Sequence, residues 1–282
     1  MNTRYAVAAL CFLTAACAIA IYPFFADALT QIRQRTELSG YIAEESSAAA
    51  LTRRERRTAA EAYNAAIAKE QGRTPFAYRG EDATDPAYEA ALGESPDGVL
   101  CALSIPKISL MLPVVHGTKA EDLEYRCGHM YGSSLPVGGR STHAVLAGHT
   151  GLPSAALFTD LTKLEKGDDF YIRVLGEIHR YRVDAVRVVL PEEEAAYLQV
   201  ADGEDLVTLY TCTPYGINSH RLLVRGKRVL PDPRTKDGGA GDVFDRELQV
   251  LPALRAAALF AVSPALFTAG LAGIIRKRRR AC

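Results

Sequence analysis

The chain has 282 residues, enough for one sizeable domain with tails or for two small domains. Its 33 Lys and Arg balance 33 Asp and Glu, so no global field recruits nucleic acid, and none is expected as a partner. The charge asymmetry that does exist is local: five cations at 276–280 directly follow an apolar stretch.

In chain order, residues 5–26 carry no charged side chain. About 20 apolar residues cross the hydrocarbon core of a bilayer as a helix, so residues 1–30 are read as an N-terminal membrane anchor. A cleaved signal segment is the alternative, with Arg4 as its positive flank and Ala18, Ile19 and Ala20 as a small-residue cleavage site. Residues 31–71 are rich in Ala, Glu and Arg and are expected to form a helical extension. Leu51, Ala59, Tyr63, Ala66 and Ile67 mark its apolar stripe. Residues 72–98 hold three prolines and four glycines and read as a loop with a short helical piece at 88–92.

From Val99 the texture changes. Seven short runs rich in Val, Leu, Ile and Tyr are separated by Gly, Pro, Asn or Asp. They are VLCALSIP, LMLPVVHG, HAVLAGH, FYIRVLG, IHRYRVDAVRVVL, DLVTLYTC and RLLVRGKRVL. This pattern predicts a mainly β domain over 99–232, a barrel or sandwich, with one helical turn inside LPSAALFTDLTKLEKGD. Residues 233–253 read as a linker. Residues 256–275 are again free of charge and long enough to span, with Pro264 inside and the cations after them, so 254–282 is expected to be a transmembrane helix with a basic cytoplasmic tail. If both ends span, everything between them lies outside the cell.

Of the six cysteines, only Cys101, Cys127 and Cys212 fall in the outer domain proper. That is no disulfide framework; a bridge between Cys101 and Cys127 stays open. No Cys-x-x-Cys or zinc-type His pair suggests zinc.

Cys212 closes one strand candidate and Arg221 opens the next, nine residues on, across the turn-forming TPYGINSH. Joined this way, the two strands put thiol and guanidinium at the same end of a sheet. Positive charge nearby lowers a thiol's pKa. A Cys–His pair supplies nucleophile and acid/base, and an arginine can hold an oxyanion or the substrate backbone. Of six histidines, His149 stands at a strand-to-loop junction. His143 begins the same run, about 20 Å away if extended. His220 adjoins Arg221 and would point to the opposite face.

TLYTC followed by this arginine resembles the signature of the sortases, the transpeptidases of the Gram-positive cell surface. IPKISLMLPVVHGT, GSSLPVGGRSTHAVLAGHTGLPSAALFTDLTKLEKGDDFYI and VTLYTCTPYGINSHRLLVRGKRV narrow it to class C, the pilus-building sortases. The similarity runs from about 99 to 229. It implies a closed sortase-type β-barrel with a helical N-terminal extension, flanked by membrane helices. His149 would be the general acid/base, Cys212 the nucleophile and Arg221 the third member. It also implies a lid over the site: Thr74, Pro75 and Phe76 stand at about the right place, with Thr74 where the family has an aspartate, and Asp85, Pro86 and Tyr88 form a second candidate.

The implied reaction is attack by Cys212 on the Thr–Gly carbonyl of an LPxTG-like sorting signal on a pilin, then transfer to a lysine amine of the next pilin. The implied setting is the cell membrane, with a monomeric catalytic domain outside. The implied cycle needs no metal or organic cofactor. Three other readings compete: a sortase that attaches proteins to peptidoglycan, a non-catalytic membrane scaffold that binds pilin tails, and a simple cysteine peptidase.

Overall fold

The computed structural model describes residues 3–71, 85–92, 97–230 and 243–244. Thr74, Pro75 and Phe76, expected to form a lid, nearly all of the expected 233–253 linker and the C-terminal helix expected at 254–282 lie outside the described residues.

Helix α1 (Thr3–Ser47) is one uninterrupted helix of 45 residues, so the expected anchor and the first part of the extension are continuous. Pro23 lies inside it; the backbone bond lost there is one that helices at membrane depth tolerate. Its N-terminal half carries a window of mean hydropathy 1.7 with none of it buried, long and apolar enough to cross a membrane. Helix α2 (Ala50–Gln71) buries Ala60, Tyr63, Asn64 and Ile67, one stripe at helical spacing. The stripe expected from sequence shares only Tyr63 and Ile67 with it, and Leu51 is exposed. The difference is Asn64, whose amide donates to the carbonyl of Leu135 (3.0 Å) and accepts from its N–H (2.7 Å). A count of apolar residues passes over a polar anchor of this kind.

Eight strands follow: β1 (Val99–Ile105), β2 (Leu110–His116), β3 (Cys127–His129), β4 (Thr142–Ala147), β5 (Asp169–Val174), β6 (Glu177–Val189), β7 (Asp205–Thr213) and β8 (His220–Val229). They close into a barrel in the order β1-β2-β3-β4-β7-β8-β6-β5. Seven of them carry the runs read from sequence. The eighth, β3, has three residues, too few for any alternation, and fits between β2 and β4. A turn of 3-10 helix at Leu157–Lys163 occupies the expected helical position, and a second covers Pro191–Tyr197.

The barrel interior holds Leu103, Leu112, Leu146, Phe170, Ile172, Leu209 and Val224, all fully buried. All seven residues of β1 are buried on both faces, because α1 packs on its outside through Leu38 and Tyr41 against Val99 and Ala102. Phe244, from the segment read as linker, completes that cluster.

Cys101 and Cys127 are both free thiols. Each is the register partner of Val114, Cys101 from β1 and Cys127 from β3. Two strand spacings, roughly 9–10 Å, therefore separate them, too far for the 4.4–6.8 Å that a disulfide allows between Cα atoms, as a rough range. The bridge left open by the sequence is excluded by register.

Three histidines, His129, His143 and His179, are buried structural groups, and His116 is half-buried. Burial pushes His129 down to about 3 and His116, His143 and His179 down to about 4. His143 is held by Gln199 O (2.7 Å) and Thr208 Oγ1 (2.8 Å), which fixes it inside the wall. Since the folded state depresses these values, the unfolded chain binds protons first as the pH falls. Stability is then full above about pH 6.5 and declines from there toward pH 4, by roughly 1.4 kcal/mol per group and pH unit. Urea midpoints measured between pH 7 and 4 should fall steadily, and H143Q should remove part of that slope. A wild-type slope that H143Q leaves untouched would contradict the assignment.

Candidate active site

Strands β4 and β7 run parallel, with Val145 opposite Thr208 and Ala147 opposite Tyr210. Parallel pairing sends both C-terminal ends to the same rim. Two residues past Ala147 stands His149, and two past Tyr210 stands Cys212. β8 returns antiparallel to β7 and sets Arg221 directly opposite Cys212. Side chains so placed have Cβ atoms about 4.5–5.5 Å apart. The topology thus brings the three sequence-selected residues to one end of the barrel.

The alternation of β7 puts Leu209 and Val207 inside the barrel and Tyr210 outside, against Val145, Ala147 and Leu223. Cys212 shares the outer face with Tyr210, as Arg221 does with Leu223. His149 is exposed and Cys212 partly exposed, so both are open to a peptide lying across the rim.

The position of His149 is set by its neighbours. Gly148 donates to Tyr210 O (3.1 Å) and accepts from Thr211 Oγ1 (2.6 Å), which ties the junction to β7. The carbonyl of His149 accepts from the Phe158 N–H at 3.0 Å. The ring of Phe158, fully buried, lies against Gly148 so closely that a Cβ there would meet it at 2.9 Å. Gly148→Ala should therefore cost about 1–3 kcal/mol of stability through overpacking and lower turnover by displacing His149. Thermal melts and kinetics at a temperature where the variant is folded test both parts; an unchanged midpoint would show that the ring moves aside freely.

Arg221 is held by a polar frame. Its Nε donates to Tyr210 Oη at 2.8 Å, and its Nη1 donates to the carbonyls of Asn218 (3.1 Å) and His220 (3.3 Å). Tyr210 in turn donates to Glu194 Oε2 at 2.8 Å, and Glu194 lies 3.7 Å from Arg221 Nε. Burial works against the guanidinium's charge, but Tyr210, the Cys212 thiol and Glu194 outweigh it and hold its pKa above the ordinary value. Burial, then Glu194, pushes the Tyr210 hydroxyl up, so it stays a donor at neutral pH. Sequence reasoning singled out neither Tyr210 nor Glu194. Tyr210 stood unremarked within TLYTC, and Glu194 is brought to it by the 3-10 turn over Pro191–Tyr197.

The second lid candidate is placed elsewhere. Asp85 caps α3 (Pro86–Ala90), accepting from the N–H groups of Ala87 and Tyr88. Tyr88 is buried among Tyr63, His116, His129 and Tyr131, with its hydroxyl 2.8 Å from His129 Nδ1. Its aromatic ring is part of the packing between α2 and the barrel wall. Among the described residues no group of His, Cys, Asp and Glu is arranged to hold a metal ion.

An eight-stranded barrel with a cysteine and an arginine in register at the ends of β7 and β8 defines a recognisable class. A family model described as "Sortase domain" matches residues 103–229. Sortase C1 of GBS pilus island 1 is 40% identical, with a TM-score of 0.64 over 72% of this chain and 95% of that one. Sortase C-1 from Actinomyces oris is 45% identical, with a TM-score of 0.57 over 64% of this chain and 99% of that one. Sortase A of Bacillus anthracis is 34% identical over 132 residues, 46% of this chain and 60% of that protein. The chain belongs to the sortase family. Within it, the chain has strong structural matches to class C sortases. The chain spans about 60% of the length of the first curated relatives it matches.

Proposed function

We propose that this chain is a pilus-building cysteine transpeptidase anchored in the cell membrane with its barrel outside. The reading rests on the register pair of Cys212 and Arg221 beside His149 on an open rim, together with the class C likeness.

In this reading the Cys212 thiolate attacks the threonine carbonyl of an LPxTG-like sorting signal on a pilin. Arg221 donates to the developing oxyanion or to the adjacent backbone. The Thr–Gly C–N bond breaks, His149 gives its proton to the leaving amine, and a thioester remains on Cys212. A lysine amine of the next pilin then attacks the thioester. His149 takes the proton from that amine, the thiolate leaves, and an isopeptide bond joins the subunits. All groups needed for this cycle come from the polypeptide.

The test is mass spectrometry of the enzyme with a sorting-signal peptide. The expected species is Cys212 heavier by the acyl portion up to threonine, discharged on adding a lysine-bearing peptide with formation of the amide. Absence of any adduct, with peptide bound, would support the scaffold reading instead. An adduct that only a peptidoglycan-type amine discharges would favour anchoring to the wall, and one that only water discharges would indicate a peptidase.

A further inference from the structure

We propose that the rim carrying Cys212 and His149 docks on the surface of the membrane that α1 enters, with Tyr215 and Ile217 as its lipid-contacting side chains.

The direction of α1 along the barrel is set by contacts at both of its ends. At the far end, Glu45 accepts from the Gly176 N–H at 2.9 Å, in the turn between β5 and β6. Gly176 lies at the opposite end of β6 from Val189, which pairs with Arg221. At the near end, Asp27 Oδ1 accepts from the Ala156 N–H and Thr30 Oγ1 donates to Ser154 O, both at 2.9 Å. Those two backbone groups belong to the loop that begins at His149. Between the two ends, Gln34 donates to Tyr125 O at 2.7 Å and Glu37 pairs with Arg126 at 2.8 Å. From Asp27 to Glu45 the helix rises about 27 Å, so it spans the barrel wall from the active rim to the opposite rim.

Asp27 is the first charged residue after the apolar run 5–26. Thr30 is only about 6 Å further along the axis than Ala26. The interfacial layer on each side of a bilayer is of similar depth, about 5–7 Å. The loop after His149 is therefore clamped to the helix at the height where it leaves the hydrocarbon. On the same rim, the loop between β7 and β8 exposes Tyr215 by 65% and Ile217 by 71%. The Tyr215 ring lies against Gly151, 3.2 Å from where a Cβ would stand, which ties this loop to the clamped one. An exposed tyrosine and isoleucine beside an emerging apolar helix match the amphipathic chemistry of the headgroup boundary. A second consequence rests on the proposed function: a pilin still held in the membrane by its tail would present its sorting signal at this same height.

The chain has no tryptophan, which allows a direct test in the full-length protein. I217W and R140W are each reconstituted in phosphatidylcholine nanodiscs, with and without brominated acyl chains. Arg140 is exposed and precedes β4, at the opposite rim. I217W should emit at shorter wavelength and be quenched roughly twofold or more by the brominated lipid, as expected for a side chain about 5–10 Å into the boundary. R140W should be unaffected. Y215W serves as a second reporter on the same rim should I217W fold poorly. Equal quenching at both rims, or water-like unquenched emission from I217W and Y215W in intact nanodiscs, would overturn the proposal. So would failure of the full-length chain to enter nanodiscs. None of these outcomes depends on turnover, so the docking and the transpeptidase reading can fail independently.

Discussion

Cys212→Ala is expected to lose all thioacyl adduct and to reduce sorting-peptide turnover on the order of 10⁴-fold or more, as for removal of a nucleophile acting in a catalytic unit. Cys212 is the partly exposed thiol of the barrel; Cys101 and Cys127 are fully buried. Burial pushes both of those thiols far up, so neither supplies thiolate to substitute for the lost one. The variant should fold normally, since Cys212 is a free, partly exposed thiol at the rim. Mass spectrometry and a fluorescent sorting peptide read the loss. The variant should still bind the peptide, and residual adduct on another residue would refute the assignment of the nucleophile.

Replacement of Arg221 should have the second-largest effect. Loss of one oxyanion donor costs on the order of 10²–10³ in turnover, and Arg221→Ala is expected in that range with the peptide's KM much less altered. Arg221→Lys should rescue little of it. The guanidinium serves Tyr210 through Nε and the carbonyls of Asn218 and His220 through Nη1, and an ammonium cannot reproduce that fork. Tyr210→Phe, which removes the acceptor on Nε, should fall between wild type and Arg221→Ala, again mainly in kcat. Full activity in Arg221→Lys would mean that charge alone suffices and that the frame of Tyr210 and Glu194 is only structural.

Local pattern carried much of this molecule. Seven of the eight strands announce themselves by β-branched runs between turn formers, because each is long enough to alternate or to be buried on both faces. β3 does not, since Cys127, Gly128 and His129 become a strand only when β2 and β4 flank them. The Cys212–Arg221 pairing was legible because a single hairpin joins the two residues. The convergence of His149 with them was inferred from its junction position, and it depends on a parallel β4–β7 pairing that no local signal encodes. Asn64, Tyr210 and Glu194 were missed for one reason: each is polar, and its worth lies in a partner 71, 11 or 16 residues away along the chain.

By itself, then, the sequence determined that there is an apolar N-terminal helix, a β domain from Val99, and a thiol and guanidinium facing each other across a hairpin. Periodicity, turn chemistry and short-range pairing depend on neighbours along the chain, so they can be read from it. Only the tertiary structure decided the strand order of the barrel, the free state of Cys101 and Cys127, the frame around Arg221 and the way α1 is strapped to the loop of His149. Those depend on register and on distances between groups far apart in sequence, which closure of the barrel sets all at once.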